Sequence, residues 1–152
     1  MSTNDLQAIN PSFLADMRNI VIEAKKNAVR GVEYIRVMMY WHLGERFFVE
    51  EQRRQERAEY GAYLTKNAAA HLEAEFGSGF SIRQLELCRQ FYRKYPNAND
   101  VRPQLNWSQY RLLIRIDDDY KREYYELESA NNGWTGRETE RQINSLLLSD
   151  CC

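Results

Sequence analysis

The sequence has few cysteines, no long apolar run and no segment of the secretory-signal type. Cys88, Cys151 and Cys152 are an odd number and lack the spacing of metal ligands or of a disulfide framework. No stretch approaches the roughly 18 apolar residues that a membrane span requires, and residues 1–13 lack a basic start followed by an apolar core. We therefore expect a cytoplasmic protein in a reducing compartment.

Motifs of catalytic chemistry are also missing. There is no glycine-rich phosphate loop, and His42 and His71 are isolated residues that do not belong to a recognisable set of metal ligands. The run Asp117–Asp119 has the charge for a divalent cation, but its position favours capping of a helix N-terminus instead. We expect no catalytic residue, no metal site and no cofactor, so the isolated chain is not expected to be an enzyme.

What the sequence does contain is a helical period along nearly its whole length. Apolar residues recur every three or four positions, which predicts amphipathic helices. A long helical region is expected over residues 12–57, with a kink or break near Gly31 or Gly44 because glycine is about 1 kcal/mol less favourable than alanine in a helix. Its apolar stripe consists of Phe13, Met17, Ile20, Ala24, Ala28, Val32, Ile35, Met39, Leu43 and Phe47.

Residues 60–148 have the helix start and stop signals that are typical of a compact helical bundle. A helix over residues 61–76 is followed by a glycine-containing turn, of the kind that ends helices. Three pairs with capping-box spacing then predict helix starts: Ser81 with Gln84, Asn106 with Gln109, and Thr135 with Glu138. The sequence predicts a single all-α domain over residues 1–152, and a short hairpin within residues 97–106 is left open.

Charge is unevenly distributed, although the net charge is only −1. Residues 81–115 carry seven basic and two acidic side chains, whereas residues 116–152 carry four basic and nine acidic ones. A helix, a GSGF turn and a capped basic helix follow one another as in a helix-turn-helix, whose second helix enters the major groove of DNA. The candidate DNA-binding residues are Arg83, Gln84, Arg89, Gln90, Arg93 and Lys94. Alternatively, the basic helix does not bind DNA, and its charged face is exposed to solvent or neutralised by the acidic residues of the segment 116–152.

Four segments resemble, in the same order, blocks of the YhcG-like bacterial proteins. YWHLGERF is similar to that family's Y-W-x-I-G-x-x-I element, and GFSIRQLELCRQFYRKYP to its G-F-S-x-x-N-L-x-x-M-x-x-F-Y block. QLNWSQYRLLIRI resembles its L-P-W-S-H block, and YYELESANNGWTGRETERQI its G-W-S-V-R-E-L-x-R-Q-I block. The resemblance covers about residues 20–145 and departs from the family at Gln84, Gln109, Gly136 and Thr139, where Asn, His, Val and Leu are usual.

The resemblance implies the N-terminal part of domain of unknown function 1016, a helix-turn-helix-type DNA-binding unit that usually precedes a PD-(D/E)XK nuclease domain. We expect that nuclease domain, with its metal-binding Asp and Glu-x-Lys residues, to be absent from this chain. One hypothesis is therefore a non-catalytic DNA-binding or targeting module for duplex DNA. The other is a protein–protein interaction module whose long N-terminal helix forms a homodimer or higher oligomer, without direct DNA contact. Neither hypothesis involves a membrane or a small-molecule substrate.

Overall fold

The computed structural model describes the backbone of residues 11–53 and 58–150, with most side chains of residues 26–52 and 61–145. Within this part of the chain, the structure contains six α-helices and no strand, which confirms the all-α prediction. The segment 97–106 contains a single 3-10 turn, Ala98–Asp100, and no hairpin. The helices are α1 (Pro11–Arg53), α2 (Ala58–Phe76), α3 (Ile82–Lys94), α4 (Trp107–Ile114), α5 (Asp119–Asn132) and α6 (Gly136–Asp150).

The first helix, α1, continues through both of its glycines, so the expected break does not occur. At Gly44 an added Cβ would meet the backbone carbonyl of Cys88, with its carbon only 2.9 Å away. Nothing lies within 4 Å of the corresponding position at Gly31. Gly44 is therefore the point at which the backbones of α1 and α3 touch, and this contact offsets its low helix propensity.

The residues of the apolar stripe of α1 differ in their exposure to solvent along the helix. Its first members, Phe13 to Ala24, lie outside the residues whose side chains are described. Val32 and Ile35 are exposed, whereas Phe47 is buried, together with Val37 and Trp41 from the adjoining face. Among the described side chains of α1, those that contribute to the core of the bundle therefore lie in its C-terminal half, which packs mainly against α3.

Helix α3 lies at the centre of an aromatic core. The Phe91 ring is fully buried and lies 5.0 Å from the Tyr110 ring and 5.5 Å from the Trp107 ring, measured between centroids. Trp41 of α1 donates a hydrogen bond from Nε1 to the Tyr95 carbonyl oxygen, at 2.6 Å. These contacts fix α3 from two sides, so its remaining face is held rigidly toward solvent.

The predicted caps are present. Ser81 accepts a hydrogen bond from the Gln84 amide at 3.1 Å, and Asn106 and Gln109 form a complete capping box. The acidic run begins α5, since the Asp118 carboxylate accepts from two first-turn amides. Each cap satisfies amide groups that have no partner within their own helix.

A buried polar network joins α4, α5 and α6. The Gln109 side chain donates to the Trp134 carbonyl oxygen at 2.6 Å and to the Thr139 hydroxyl at 3.2 Å. The Thr139 and Ser129 hydroxyls are 3.0 Å apart. Two of the residues that depart from the family pattern, Gln109 and Thr139, are thus hydrogen-bonded to each other, which explains the polar residue on the buried face of α6.

Candidate nucleic-acid interface

The basic helix α3 begins after a short and sharply turned connection. Gly77 has a φ of 97°, which is strained for residues with a side chain, and a 3-10 turn over Ser78–Phe80 leads to the Ser81 cap. Helices α2 and α3 contact each other, and both contact α1. The connection is therefore fixed in place by packing on both sides.

The outward face of α3 carries three exposed polar side chains, Arg83, Gln90 and Arg93, which we call the α3 strip. They are spaced by seven and three residues, or about two turns and one turn of helix, so they point in one direction. Among the described residues, none of the three side chains has an ion-pair or hydrogen-bond partner. The strip therefore offers two unneutralised guanidinium groups with an amide between them.

Arg89 does not belong to this surface. Its guanidinium pairs with Glu51 of α1 and, at 2.9 Å, with Glu86 of its own helix. It also donates to the Thr65 hydroxyl of α2 at 3.2 Å and lies 5.9 Å from the centroid of the Phe47 ring. With its side chain only 12% exposed, Arg89 ties three helices together and is not available to DNA as the sequence predicted.

This internal role nonetheless affects the strip. Glu86 lies between Arg83 and Gln90 on the same side of α3, where a free carboxylate would repel DNA. Because the Arg89 guanidinium pairs with Glu86, the negative charge next to the α3 strip is neutralised. Neither partner of Arg89 on α1 or α2 follows from the local sequence of α3.

The two remaining candidate residues lie at the ends of α3. Lys94 pairs with Asp117 at 3.3 Å, and since the Asp117 side chain is 98% exposed, this ion pair is weak and accessible. Gln84 is half-buried, and its side-chain nitrogen is buried without a partner in the described part of the chain. The structure thus brings Arg83, Gln90 and Arg93 together, with Lys94 beside them, and separates Gln84 and Arg89 from them.

Ionisable groups in the core have a structural role. Burial raises the pKa of the Cys88 thiol to about 12, so it is protonated at neutral pH and unreactive. Burial also raises the pKa of Glu126, whose carboxylate accepts hydrogen bonds from Arg102 at 2.9 Å and Tyr95 at 3.4 Å. Among the described residues, no group of three or more His, Cys, Asp or Glu side chains is placed to hold a metal ion.

Of the helices in the described part of the chain, none combines the length and apolar character that crossing a membrane requires.

Comparison with known families decides what kind of domain this is. The family model of the DUF1016 N-terminal domain matches residues 16–149. The chain belongs to this family. A curated relative from Escherichia coli (strain K12), named "Putative nuclease YhcG", is 27% identical over 157 residues of alignment, which cover 82% of this chain and 42% of the relative. The resemblance to the YhcG-like proteins is thereby confirmed.

The chain spans about two fifths of the length of the curated relative it matches. No solved structure matches it. The family link connects this DUF1016 N-terminal domain with a protein that is named as a putative nuclease.

Proposed function

We propose that this domain is the DNA-binding module of a nuclease-family protein and does not cleave DNA by itself. The observation that supports the proposal best is the α3 strip: two arginines that have no partner among the described residues, on the solvent face of a helix whose other face is fixed in the core. A site built on a rigid helix holds its side chains in a defined geometry. The name of the Escherichia coli relative supports the link to nucleic acid.

In this proposal α3 is the helix that approaches duplex DNA. Arg83 and Arg93 are ten residues apart, or about 15 Å along the helix axis, which corresponds to roughly four base steps of one strand. Arginine forms bidentate contacts with phosphates or guanine, and glutamine can do so with adenine. Arg83 and Arg93 therefore supply the electrostatic contacts, and Gln90 lies between them where a base edge would be reached.

The test compares wild type with Arg83→Gln/Arg93→Gln by fluorescence anisotropy on a mixed-sequence DNA duplex over a range of salt concentrations. Each lost phosphate contact lowers the slope of log K against log salt by about 0.9, so the double variant should lose about 1.8. The control is Arg30→Gln/Arg36→Gln, which removes two exposed charges from α1. Equal binding by wild type and the strip variant, or an equal loss in both double variants, contradicts the proposal.

Sequence preference is tested separately. Gln90→Ala should keep the salt slope, since no charge is removed, and should reduce discrimination among duplexes by about 1–3 kcal/mol if the amide contacts a base. Competition between duplexes of different sequence measures this, and unchanged preferences would leave Gln90 without a role in base recognition.

The non-catalytic part of the proposal has its own test. We place cleavage outside the matched region, because the resemblance implies a separate nuclease domain and the Escherichia coli relative extends beyond the 42% of its length that is aligned. The purified domain should leave plasmid DNA intact in the presence of magnesium. Cleavage that disappears when Asp117–Asp119 are replaced by Asn, but persists in the α3-strip variant, would show that the domain is an enzyme.

We propose self-association through α1 as a second function. Val32 and Ile35 are 67% and 70% exposed, and Met39 is 38% exposed. Together with the exposed Ala28 they are spaced by four, three and four residues, which is the spacing of apolar positions in a coiled coil. A second copy of the chain is the partner that presents the same stripe, and a dimer would present two α3 strips to two DNA half-sites.

Light scattering at tens of micromolar tests the dimer. Val32→Glu/Ile35→Glu should produce a monomer with unchanged helical content, whereas Val49→Glu, on an exposed position elsewhere on α1, should not. A monomeric wild type at that concentration contradicts this second function and leaves the first unaffected.

A further inference from the structure

A second basic surface lies between α4 and the start of α6, where the sequence indicated no site. A groove of about 610 Å³ opens there, within the size range of ligand sites in proteins. Arg111 lines it from α4, Arg115 from the position directly after α4, and Arg137 from the first turn of α6. Glu140 is the single acidic residue among those that line it.

The three groove arginines lack the partners that other arginines in this domain have. Arg36, Arg46, Arg89, Arg102, Arg122 and Arg141 each pair with a carboxylate. In the described part of the chain, no carboxylate, including that of Glu140, lies within ion-pair distance of the groove arginines. Nor does the buried Nε of Arg111 have a hydrogen-bond acceptor there.

Such a concentration of like charge is unfavourable unless an anion offsets it. Guanidinium groups near one another repel, and a buried donor without an acceptor is destabilising. The planar fork of donors on arginine matches the oxygens of a phosphate group. Three such forks around one groove therefore define the chemistry of its ligand as a phosphate or a similar oxyanion.

The backbone adds to this environment. Helix α6, of 15 residues, begins at the groove, so its first amide groups and the positive end of its dipole face the same region. Gly136 allows this approach, since a Cβ at that position would lie 3.2 Å from the Ser108 Cβ of α4. Glycine at this departure from the family pattern keeps the start of α6 close to α4.

We propose that the α4–α6 groove binds a backbone phosphate of the nucleic acid, as a contact separate from the α3 strip. The inference rests on the proposed function for the identity of its partner, but on different residues. Arg115 and Arg137 supply exposed charge, and Arg111 supplies a third, half-buried guanidinium group at the wall of the groove.

The experiment uses two probes, inorganic phosphate and the DNA duplex described above, and one double variant, Arg115→Gln/Arg137→Gln. Phosphate is titrated into protein labelled with ¹⁵N, and the arginine Nε–H resonances are followed. Wild type should show a saturable shift of the Arg111 resonance, and the groove variant should not. In the duplex assay, the groove variant should lose about 1.8 from the salt slope, whereas Arg30→Gln/Arg36→Gln should not.

The outcomes separate this inference from the α3 proposal. The inference is supported if the groove variant has a salt slope lowered by about 1.8 and Arg83→Gln/Arg93→Gln still binds phosphate. If phosphate binds in the groove but the groove variant retains wild-type DNA binding, the ligand is a small phosphate compound and the nucleic-acid assignment is wrong. If neither probe distinguishes the groove variant from the α1 control, the groove binds no phosphate, whatever the α3 strip does.

Discussion

Replacing Gly44 by alanine tests the central packing contact of the fold. The added methyl group would meet the Cys88 carbonyl, with the carbonyl carbon at 2.9 Å, and would lie 3.0 Å from the Tyr92 Cβ. Because the first of these atoms belongs to the backbone of α3, no side-chain rotation relieves the contact. Helix α1 has to move away from α3 along the surface that carries most of its packing.

The expected magnitude is a balance of two effects. Inserting a methylene-sized group into a packed interface destabilises by about 1–3 kcal/mol, while alanine is about 1 kcal/mol more favourable than glycine within a helix. We expect a net loss of up to about 2 kcal/mol for Gly44→Ala. The same helix provides the control: Gly31→Ala meets nothing within 4 Å, so it should gain up to about 1 kcal/mol from helix propensity alone.

Urea unfolding followed by circular dichroism at 222 nm measures both changes. The midpoint should fall for Gly44→Ala and rise for Gly31→Ala at similar m-values, and Tm should shift by about 2–4 °C per kcal/mol. One fixed protein concentration is required, since self-association would make the midpoint concentration-dependent. If the two substitutions have the same effect, the backbones of α1 and α3 do not touch at Gly44 and the close packing of these two helices is refuted.

Three further predictions concern buried polar groups and the basic helix. Thr139→Val should destabilise by about 1–3 kcal/mol in urea unfolding, because Gln109 loses an acceptor inside the protein; a neutral result would mean that the network contributes nothing. Since burial raises the pKa of Glu126 above 4.5, the folded state binds this proton more tightly, so its contribution to stability is present below 4.5 and is lost as pH rises through the raised pKa. Unfolding measured from pH 4 to pH 7 should therefore show a shallower decline for Glu126→Gln than for wild type, and parallel curves would argue against the shift. Arg89→Gln should destabilise the fold by about 1.5–3 kcal/mol without altering the salt slope of DNA binding. Arg93→Gln should change stability by less than about 0.5 kcal/mol and should lower that slope. The opposite result would mean that Arg89 contacts DNA and Arg93 supports the fold.

Local signals in the sequence predicted the elements of the fold well. The helical period identified the long α1, and the capping pairs identified the starts of α3, α4 and α6 within one or two residues. These features depend on residues three or four positions apart, so they can be read without knowledge of tertiary structure. Gly77 and Gly133 have positive φ at helix ends, as expected for their positions.

Features that depend on distant partners could not be predicted in the same way. Gly44 reads as a weak point in α1 until Cys88 is known to face it, 44 residues later in the sequence. Arg89 has the same local pattern as Arg93, and only the position of Glu51 and Thr65 distinguishes a structural arginine from an exposed one. In α3, Phe91 is the fully buried ring and Tyr92 is half-buried, since α3 is covered from two sides and a single apolar stripe does not describe it.

The distribution of ion pairs bears on both functional hypotheses. If the acidic C-terminal part merely neutralised the basic centre, its carboxylates would lie against the exposed arginines. Instead, Glu126 pairs with Arg102 beside the core, and the exposed Asp117 pairs with Lys94. In the described part of the chain, they leave the α3 strip and the α4–α6 groove without a carboxylate partner. Arg89 and Arg102, which contact the core, are thus paired with carboxylates. The arginines without such a partner in these two regions form two separate surfaces. Lys94 adjoins one surface, and Asp117, its partner, is two residues from Arg115 in the other, so the proposed contacts lie on adjoining parts of the domain and are expected to weaken together as salt rises.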